Sequence, residues 1–380
     1  MKDSTKKISP SVGVDFHAYD GIYQGSRSHV IALFKLVVCI LPEVRFFFFL
    51  DKVENLLSEH PEFNRGNVTL VRMRPCSGVV RLFIKLPWLR FKNKISLLHT
   101  QYRIPIYPLG DCACTIHDVL FETHPEYFPK LFTWQSKFLF RYAARNSKLL
   151  FTVSEYSRSE ISRCYSISPE KIKVIYNGVD RSRFHPDKNI DPEGVLAKFG
   201  LVSSNYILTI GRLEPRKNHL RLIEAYSKIG ENAPPLVCVG QKDFGYDSAL
   251  AAAEKFGISA KVIFLENVND DVLPILLRNA RLFVFPAIAE GFGMPVVEAL
   301  ASGVPVITSS TTSLIEVAGR AAELVDPLDV ESIANGMKRI LSGEIKVDQL
   351  RSCGLKHIDK FDWRVSAEIL ADSYRKYFSL

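Results

Sequence analysis

No stretch of about 18 uncharged apolar residues, the length a helix needs to cross a bilayer, occurs in this chain of 380 residues. The most apolar stretch, Ile31 to Leu50, is broken by Lys35, Glu43 and Arg45, so no segment is expected to span a membrane. The opening MKDSTKKISP is charged and no long apolar run follows it directly, which speaks against a cleaved secretion signal. Cysteine is scarce and unpatterned. Cys39, Cys76, Cys112, Cys114, Cys164, Cys238 and Cys353 form an odd, scattered set that fits a reducing cytoplasm. Cys112 and Cys114 share a face of one expected strand, but no second pair or histidine stands at zinc spacing, so no metal site is expected.

What is present is enough apolar material, 47% of the residues, for two cores, and the length exceeds what one core usually serves. Charge is uneven: of the net +8, the part through Arg183 carries about +11 and the remainder about −3. From Val71 to Arg103 there are Arg72, Arg74, Arg81, Lys85, Arg90, Lys92, Lys94 and Arg103, with no acid, interleaved with Phe83, Leu86, Trp88 and Phe91. Such a segment suits the surface of an anionic membrane, and equally suits a basic helix that packs its apolar side on its own domain. No nucleic-acid-binding module accompanies the charge, so no nucleic-acid partner is expected.

Short β-rich runs alternate with helical patterns throughout. Strands are expected at Ser11 to Phe16, Arg45 to Asp51, Val68 to Met73, Ser96 to Thr100, Cys112 to His117, Leu149 to Val153 and Ile172 to Tyr176. Residues 186–204, with Pro186, Pro192, Gly194 and Gly200, read as a linker. The rhythm restarts with strands at Tyr206 to Ile210, Leu236 to Gly240, Val262 to Leu265, Leu282 to Pro286, Val304 to Thr308 and Ala322 to Val325. Beyond Val330 the pattern is helical. The expectation is two tandem α/β domains, 1–185 and 205–360, each a doubly wound, mostly parallel sheet that binds ligands at the carboxyl ends of its strands. Residues 361–380 form a closing helix expected to dock on the first domain.

Two motifs carry chemistry. In EGFGMPVVE, Glu290 and Glu298 bracket a turn that opens a helix. Gly291 and Gly293 let backbone approach a ligand, Pro295 suits a first helical turn, and amides at a helix start face an anion while carboxylates accept from sugar hydroxyls. Phosphate plus polyol suggests a nucleotide sugar; spacing alone fits a plain acidic helix start equally well. In GRLEPRKN, Gly211 ends a strand and Arg212 and Lys217 flank a turn, a pair of cations able to neutralise a departing diphosphate without a metal. Asp-x-Asp, which many other sugar-nucleotide enzymes use to hold a divalent cation, is absent. An exposed basic turn is the plain alternative for GRLEPRKN, and the acidic helix opening in the same domain ranks the phosphate reading above it.

GRLEPRKNHLRLIEAY, FVFPAIAEGFGMPVVEALASGVPVITSSTTSLIEVAG and AAELVDPLD resemble the donor domain of family 4 retaining glycosyltransferases, of the GT-B fold with two Rossmann-like domains facing a cleft. GVDFHAYDGIYQGSRSHV, LLHTQYRIP, TIHDVLFETHPEYF, FTVSEYSRSEI and VIYNGVDRSRF are similar to segments in order along the same family, in its bacterial mannosyltransferase-like branch. The resemblance implies that Arg212 and Lys217 hold the donor diphosphate, Glu290 the transferred sugar, Glu298 the ribose, and Gly291, Phe292, Gly293, Met294 and Pro295 present backbone to sugar and phosphate. It further implies a base contact near Val268, where Glu266 replaces the usual glycine, and a phosphate or acceptor contact near Gly25 and Arg27. His117, beside Asp118, is implied to point at the transferred sugar.

The function implied is transfer of a hexose, best mannose from GDP-mannose, to a glycan or lipid-linked acceptor in cell-surface polysaccharide synthesis, without a metal or other cofactor. The expected location is the cytoplasm, on the inner face of the cytoplasmic membrane if the basic stretch docks there. Retention would follow if the acceptor attacks from the leaving group's side and its proton passes to the departing phosphate oxygen, since no carboxylate is identified on the far side of the sugar. A phosphorylase or sugar-nucleotide epimerase of the same fold, or a scaffold without catalysis, are the alternatives.

Overall fold

The computed structural model describes residues 10–21, 25–187, 194–243 and 245–380. The first nine residues of the charged opening and 188–193 of the expected linker lie outside the described residues. Contacts group the chain into two units, 1–178 with 363–380, and 179–362. The divide falls before the expected linker, whose described residues belong to the second unit; there Leu196 and Leu201 are buried. Of the expected linker, residues 194–204 are thus a packed part of the second unit.

The first unit is a parallel sheet of β1 Ser11–Asp15, β2 Arg45–Leu50, β3 Val68–Arg72, β4 Leu97–Gln101, β5 Cys112–Thr115, β6 Leu149–Thr152 and β7 Ile172–Val174. Its order is β3-β2-β1-β4-β5-β6-β7. Both faces are covered, which is why β2 reads RFFFFL: side chains alternate, so Phe46 and Phe48 enter one core while Phe47 and Phe49 enter the other. The first core takes the Gly25–Ile40 helix and the terminal Trp363–Phe378 helix, through Ala367, Leu370, Ala371 and Tyr374. The second takes the Leu86–Lys92 and Lys130–Asn146 helices.

The second unit repeats the plan with β8 Ile207–Ile210, β9 Leu236–Val239, β10 Val262–Leu265, β11 Leu282–Phe285, β12 Val306–Ser309 and β13 Glu323–Val325, ordered β10-β9-β8-β11-β12-β13 and parallel throughout. The thirteen strands among the described residues lie where apolar runs predict them, with ends differing by a residue or two. In each sheet the order reverses beside the first strand, between β1 and β4 and between β8 and β11. Such a switch point leaves a crevice at the carboxyl ends of the strands, where open α/β sheets bind ligands.

Candidate active site

In the second unit the two motifs leave β8 and β11, the strands flanking the switch point. After β8 the chain forms a short turn over Pro215–Lys217 and then Asn218, whose φ of 65° is left-handed. The Asn218 amide donates to the carbonyls of Pro286 (2.9 Å) and Pro327 (2.6 Å), which pins the turn beneath β11. Ile288 N–H donates to Arg216 O at 2.8 Å, so the two loops are joined through the backbone.

Lys217 Nζ donates to Glu290 Oε1, and Arg216 Nη1 reaches the same oxygen at 3.1 Å while also donating to Ala289 O at 3.1 Å. Arg216 Nη2 is in turn held by Glu214 at 2.7 Å. Burial pushes the Glu290 carboxyl up, but Lys217 and Arg216 outweigh it and hold the group below its usual value. Burial lowers Lys217, with Glu290 restoring part of the loss. A buried carboxylate is thus kept ionised by two cations. Arg212 is placed otherwise: half-exposed, it pairs with Asp243 after β9 at 2.8 Å. The two cations read from GRLEPRKN are therefore held by different acids.

The glycine-rich loop is built as its sequence suggests. Gly293 sits at φ 104°, and a Cβ there would lie 2.6 Å from Leu314 Cδ2, so only glycine fits. It caps the Met294–Ala301 helix with no side-chain cap, Pro295 stands in the first turn, and Gly291 and Phe292 are buried. Hydroxyls hold this loop in place: Ser313 donates to Glu290 O (2.8 Å) and Phe292 O (3.0 Å), Ser309 to Ala287 O (2.6 Å), and Thr312 Oγ1 accepts from Glu290 N–H at 3.3 Å. Glu298 feels the charges of Asp270 and Arg183, which pair with each other at 3.0 Å. Burial, then the Asp270 carboxylate, push Glu298 up to about 8 against the pull of Arg183. Val268 is half-buried in the loop after β10, whose Glu266 pairs with Lys242 at 2.8 Å.

In the first unit His117 follows β5 and is buried. Its Nε2 lies 3.2 Å from Gln101 Oε1, so the ring carries its proton there, and its centroid lies 4.7 Å from that of His29 and 5.0 Å from that of Tyr102. His29 Nδ1 meets Asn177 Oδ1 at 2.7 Å, and His99 lies between Tyr374 OH (2.5 Å) and Thr115 Oγ1 (2.9 Å). Burial lowers all three: His29 to about 4, His99 to about 3, and His117 well below its ordinary value, aided by the other two. Asp118 accepts from Leu120 N–H at 3.1 Å. Gly25 opens the Gly25–Ile40 helix without left-handed backbone, and a Cβ there would meet nothing within 4 Å; the described structure gives no reason for glycine. Arg27 is buried and pairs with Glu59 at 3.3 Å over the Tyr19 ring.

Arg216, Ser309, Ser313, Thr312, His29 and His99 were not singled out by sequence reasoning. The first lies inside GRLEPRKN and the next three inside TSSTTS, so their strings were read without their roles.

The family profile for glycosyl transferases group 1 matches residues 197–357, and that for glycosyltransferase family 4 matches residues 46–183. O-antigen chain mannosyltransferase B of Escherichia coli is 33% identical over 270 residues, 70% of this chain and 71% of that protein. This chain belongs to the family 4 glycosyltransferases. O-antigen chain mannosyltransferase RfbU of Salmonella typhimurium is 30% identical over 254 residues, 66% of each protein. Anabaena HepE, solved with UDP and glucose, has the same fold as this glycosyltransferase, with a TM-score of 0.74 at 19% identity over 97% of this chain and all of the other. The fold, two Rossmann-like domains with parallel sheets, is that of GT-B.

Proposed function

We propose that this glycosyltransferase moves mannose from GDP-mannose to a glycan or lipid-linked saccharide in O-antigen or related cell-surface polysaccharide synthesis. The observation that carries the reading is the buried Lys217–Glu290–Arg216 cluster at the switch point of the second unit. It sits beside a helix start opened by Gly293, where phosphate is favoured. Support for mannose comes from the O-antigen mannosyltransferases that resemble the chain, and for a nucleotide donor from the UDP and glucose bound by HepE.

In this reading Glu290 accepts from the sugar's hydroxyls, Glu298 from the ribose, and Val268 lies by the base. Gly291, Phe292, Gly293, Met294 and Pro295 present backbone to sugar and phosphate. Arg212 and Lys217 exchange their carboxylate partners for the diphosphate, and stabilise the charge that grows on it as the sugar C1–oxygen bond breaks. The acceptor oxygen bonds to C1 from the same side, and its proton passes to the departing phosphate oxygen, which retains configuration without a metal. His117, neutral, offers a polar contact to sugar hydroxyls, and the Gly25 helix start with Arg27 contacts phosphate or acceptor. The activity belongs to the cytoplasm.

A panel of GDP-, UDP-, ADP- and dTDP-hexoses tests this, read as thermal stabilisation and slow donor hydrolysis with and without chelator. GDP-mannose is expected to stabilise most, to be hydrolysed with chelator present, and to give a product of unchanged anomeric configuration. Stabilisation by a uridine donor alone would refute the donor, and inversion would refute the mechanism.

A further inference from the structure

The second unit has a hollow at the end of its sheet opposite the two motifs. GRLEPRKN and EGFGMPVVE follow the carboxyl ends of β8 and β11, whereas Pro234 precedes β9 and Arg281 immediately precedes β11. Pro234 and Arg281 border a cavity of about 390 Å³, within the range of about 300 to 1,000 Å³ usual for small-molecule sites.

The ends of two helices build it. The His219–Ser227 helix runs out into Ile229 and Gly230, and Gly230, at φ 102°, turns the chain toward β9. The Tyr226 hydroxyl donates to Pro234 O at 2.9 Å and fixes that loop. The Val330–Leu341 helix packs on the first and also ends at the cavity, in Leu341 and Ser342. Arg281 Nη2 reaches Leu341 O at 3.5 Å.

The charged groups here divide into two sets. Beside the cavity they are paired: Arg339 holds Glu323 at 2.5 Å and Glu344 at 2.8 Å, and Lys228 holds Glu331. Within its lining they are not. Among the described residues Arg281, Lys338 and Glu231 make no ion pair, Lys261 takes only the backbone carbonyl of Glu231, and the Asn232 amide has no partner. Four polar side chains thus converge on one concave surface with their hydrogen-bonding capacity unspent.

Their chemistry selects the ligand. Arg281 and Lys338 are offset by Glu231 and by the partial negative charge, about half a unit each, that the two helix ends bring. The lining is therefore close to neutral, which favours neither an anion nor a cation. It is also too polar for an apolar ligand. A neutral molecule that both donates and accepts along its whole edge fits, and a saccharide is such a molecule.

We propose that this cavity is a second saccharide site, holding a short stretch of a neutral glycan. Arg281 and Lys338 donate to hydroxyl and ring oxygens, Glu231 accepts from hydroxyls, Asn232 does both, and Ile229 and Leu341 lie against sugar C–H groups. The site is separate from the donor motifs and rests on the reaction proposed above only for the choice of mannose. A glycan held there would stay on the enzyme while its far end is free. With no aromatic ring in the lining, affinity should be modest, with a Kd of about 1 to 10 mM.

The test uses the full chain without donor, so its failure and that of the mannosyl-transfer reading are separate. α-Linked mannotriose and maltotriose are titrated and followed by saturation-transfer NMR and calorimetry, with inorganic phosphate as competitor. Mannotriose is expected to bind wild type and Glu290→Gln alike, and Asn232→Ala/Lys338→Ala about tenfold more weakly. Both substituted side chains are exposed, so that variant should keep the wild-type melting temperature. Maltotriose binding in place of mannotriose, lost in the same variant, would uphold the site and count against mannose. No binding of either saccharide at about 50 mM, equal binding by the variant, loss in Glu290→Gln, or displacement by phosphate would overturn the proposal.

Discussion

The two units bury polar groups at the same place in the same topology, but in opposite electrical states. At the carboxyl end of the second sheet Glu290 is held ionised between Lys217 and Arg216. At that of the first, His29, His99 and His117 are held neutral by burial, each paired with an uncharged group such as Asn177, Tyr374 or Gln101. A site that separates a sugar from a diphosphate must manage full charges, which needs fixed charges in place before the reaction. One that meets hydroxyls needs oriented neutral donors and acceptors. The contrast teaches that one scaffold has been given two kinds of polar interior.

The largest effect that would break this contrast is removal of the carboxylate charge. Glu290→Gln should cut turnover by about 10² to 10³, with the fold retained by circular dichroism, because two buried cations lose their shared acceptor. Arg216→Gln is expected to have a smaller, more telling effect. Arg216, anchored on Glu214 and Ala289 O, is expected to act as a positioning residue that keeps Glu290 ionised if Lys217 turns to phosphate as proposed. Its loss should lower kcat by about tenfold with KM little changed, move the acid limb of the pH profile upward, and be partly rescued by Arg216→Lys. A pure KM effect would show that Arg216 binds donor directly.

Smaller effects concern stability, and here the two units should respond to pH in opposite senses. Histidines with depressed folded values take up protons only when the chain unfolds, so their contribution is present above about pH 6.5 and is lost as pH falls toward about 4. His29→Gln should flatten the fall in melting temperature between pH 7 and pH 4, a window set by its shift to about 4. Glu298 does the reverse: raised to about 8, it stays protonated in the fold, and stability is lost as pH climbs from its ordinary 4.5 through 8. Glu298→Gln should therefore melt higher than wild type at pH 8 and nearly alike at pH 4.5. Equal pH profiles for wild type and both variants would erase the comparison.

The same contrast explains what the sequence made legible. The second unit's site comes from two contiguous strings, GRLEPRKN and EGFGMPVVE, each at a strand end, so their residues could be read in place. The first unit's polar interior gathers His29, His99, His117, Asn177 and Tyr374 from five separate elements and loops. Only His117, at the end of an apolar run, carried a local signal. The strands were legible because a parallel sheet covered on both faces demands unbroken apolar runs such as RFFFFL. The divide between the units was not, since it follows from packing: a Cβ on Gly178 would lie 2.4 Å from Trp363 N, and nothing in the composition near 178 announces that approach. The cavity at the amino ends of β9 and β11 escaped because its lining comes from helix ends and loops far apart in the chain.

Lys217 is expected to carry the charge of the leaving diphosphate from its buried ion pair with Glu290. Single-turnover transfer from GDP-mannose by wild type and Lys217→Ala, with melting temperature measured on the same samples, tests it most directly. The variant is expected to lose about 10³ in rate with its fold intact. A variant that transfers mannose at the wild-type rate would contradict it.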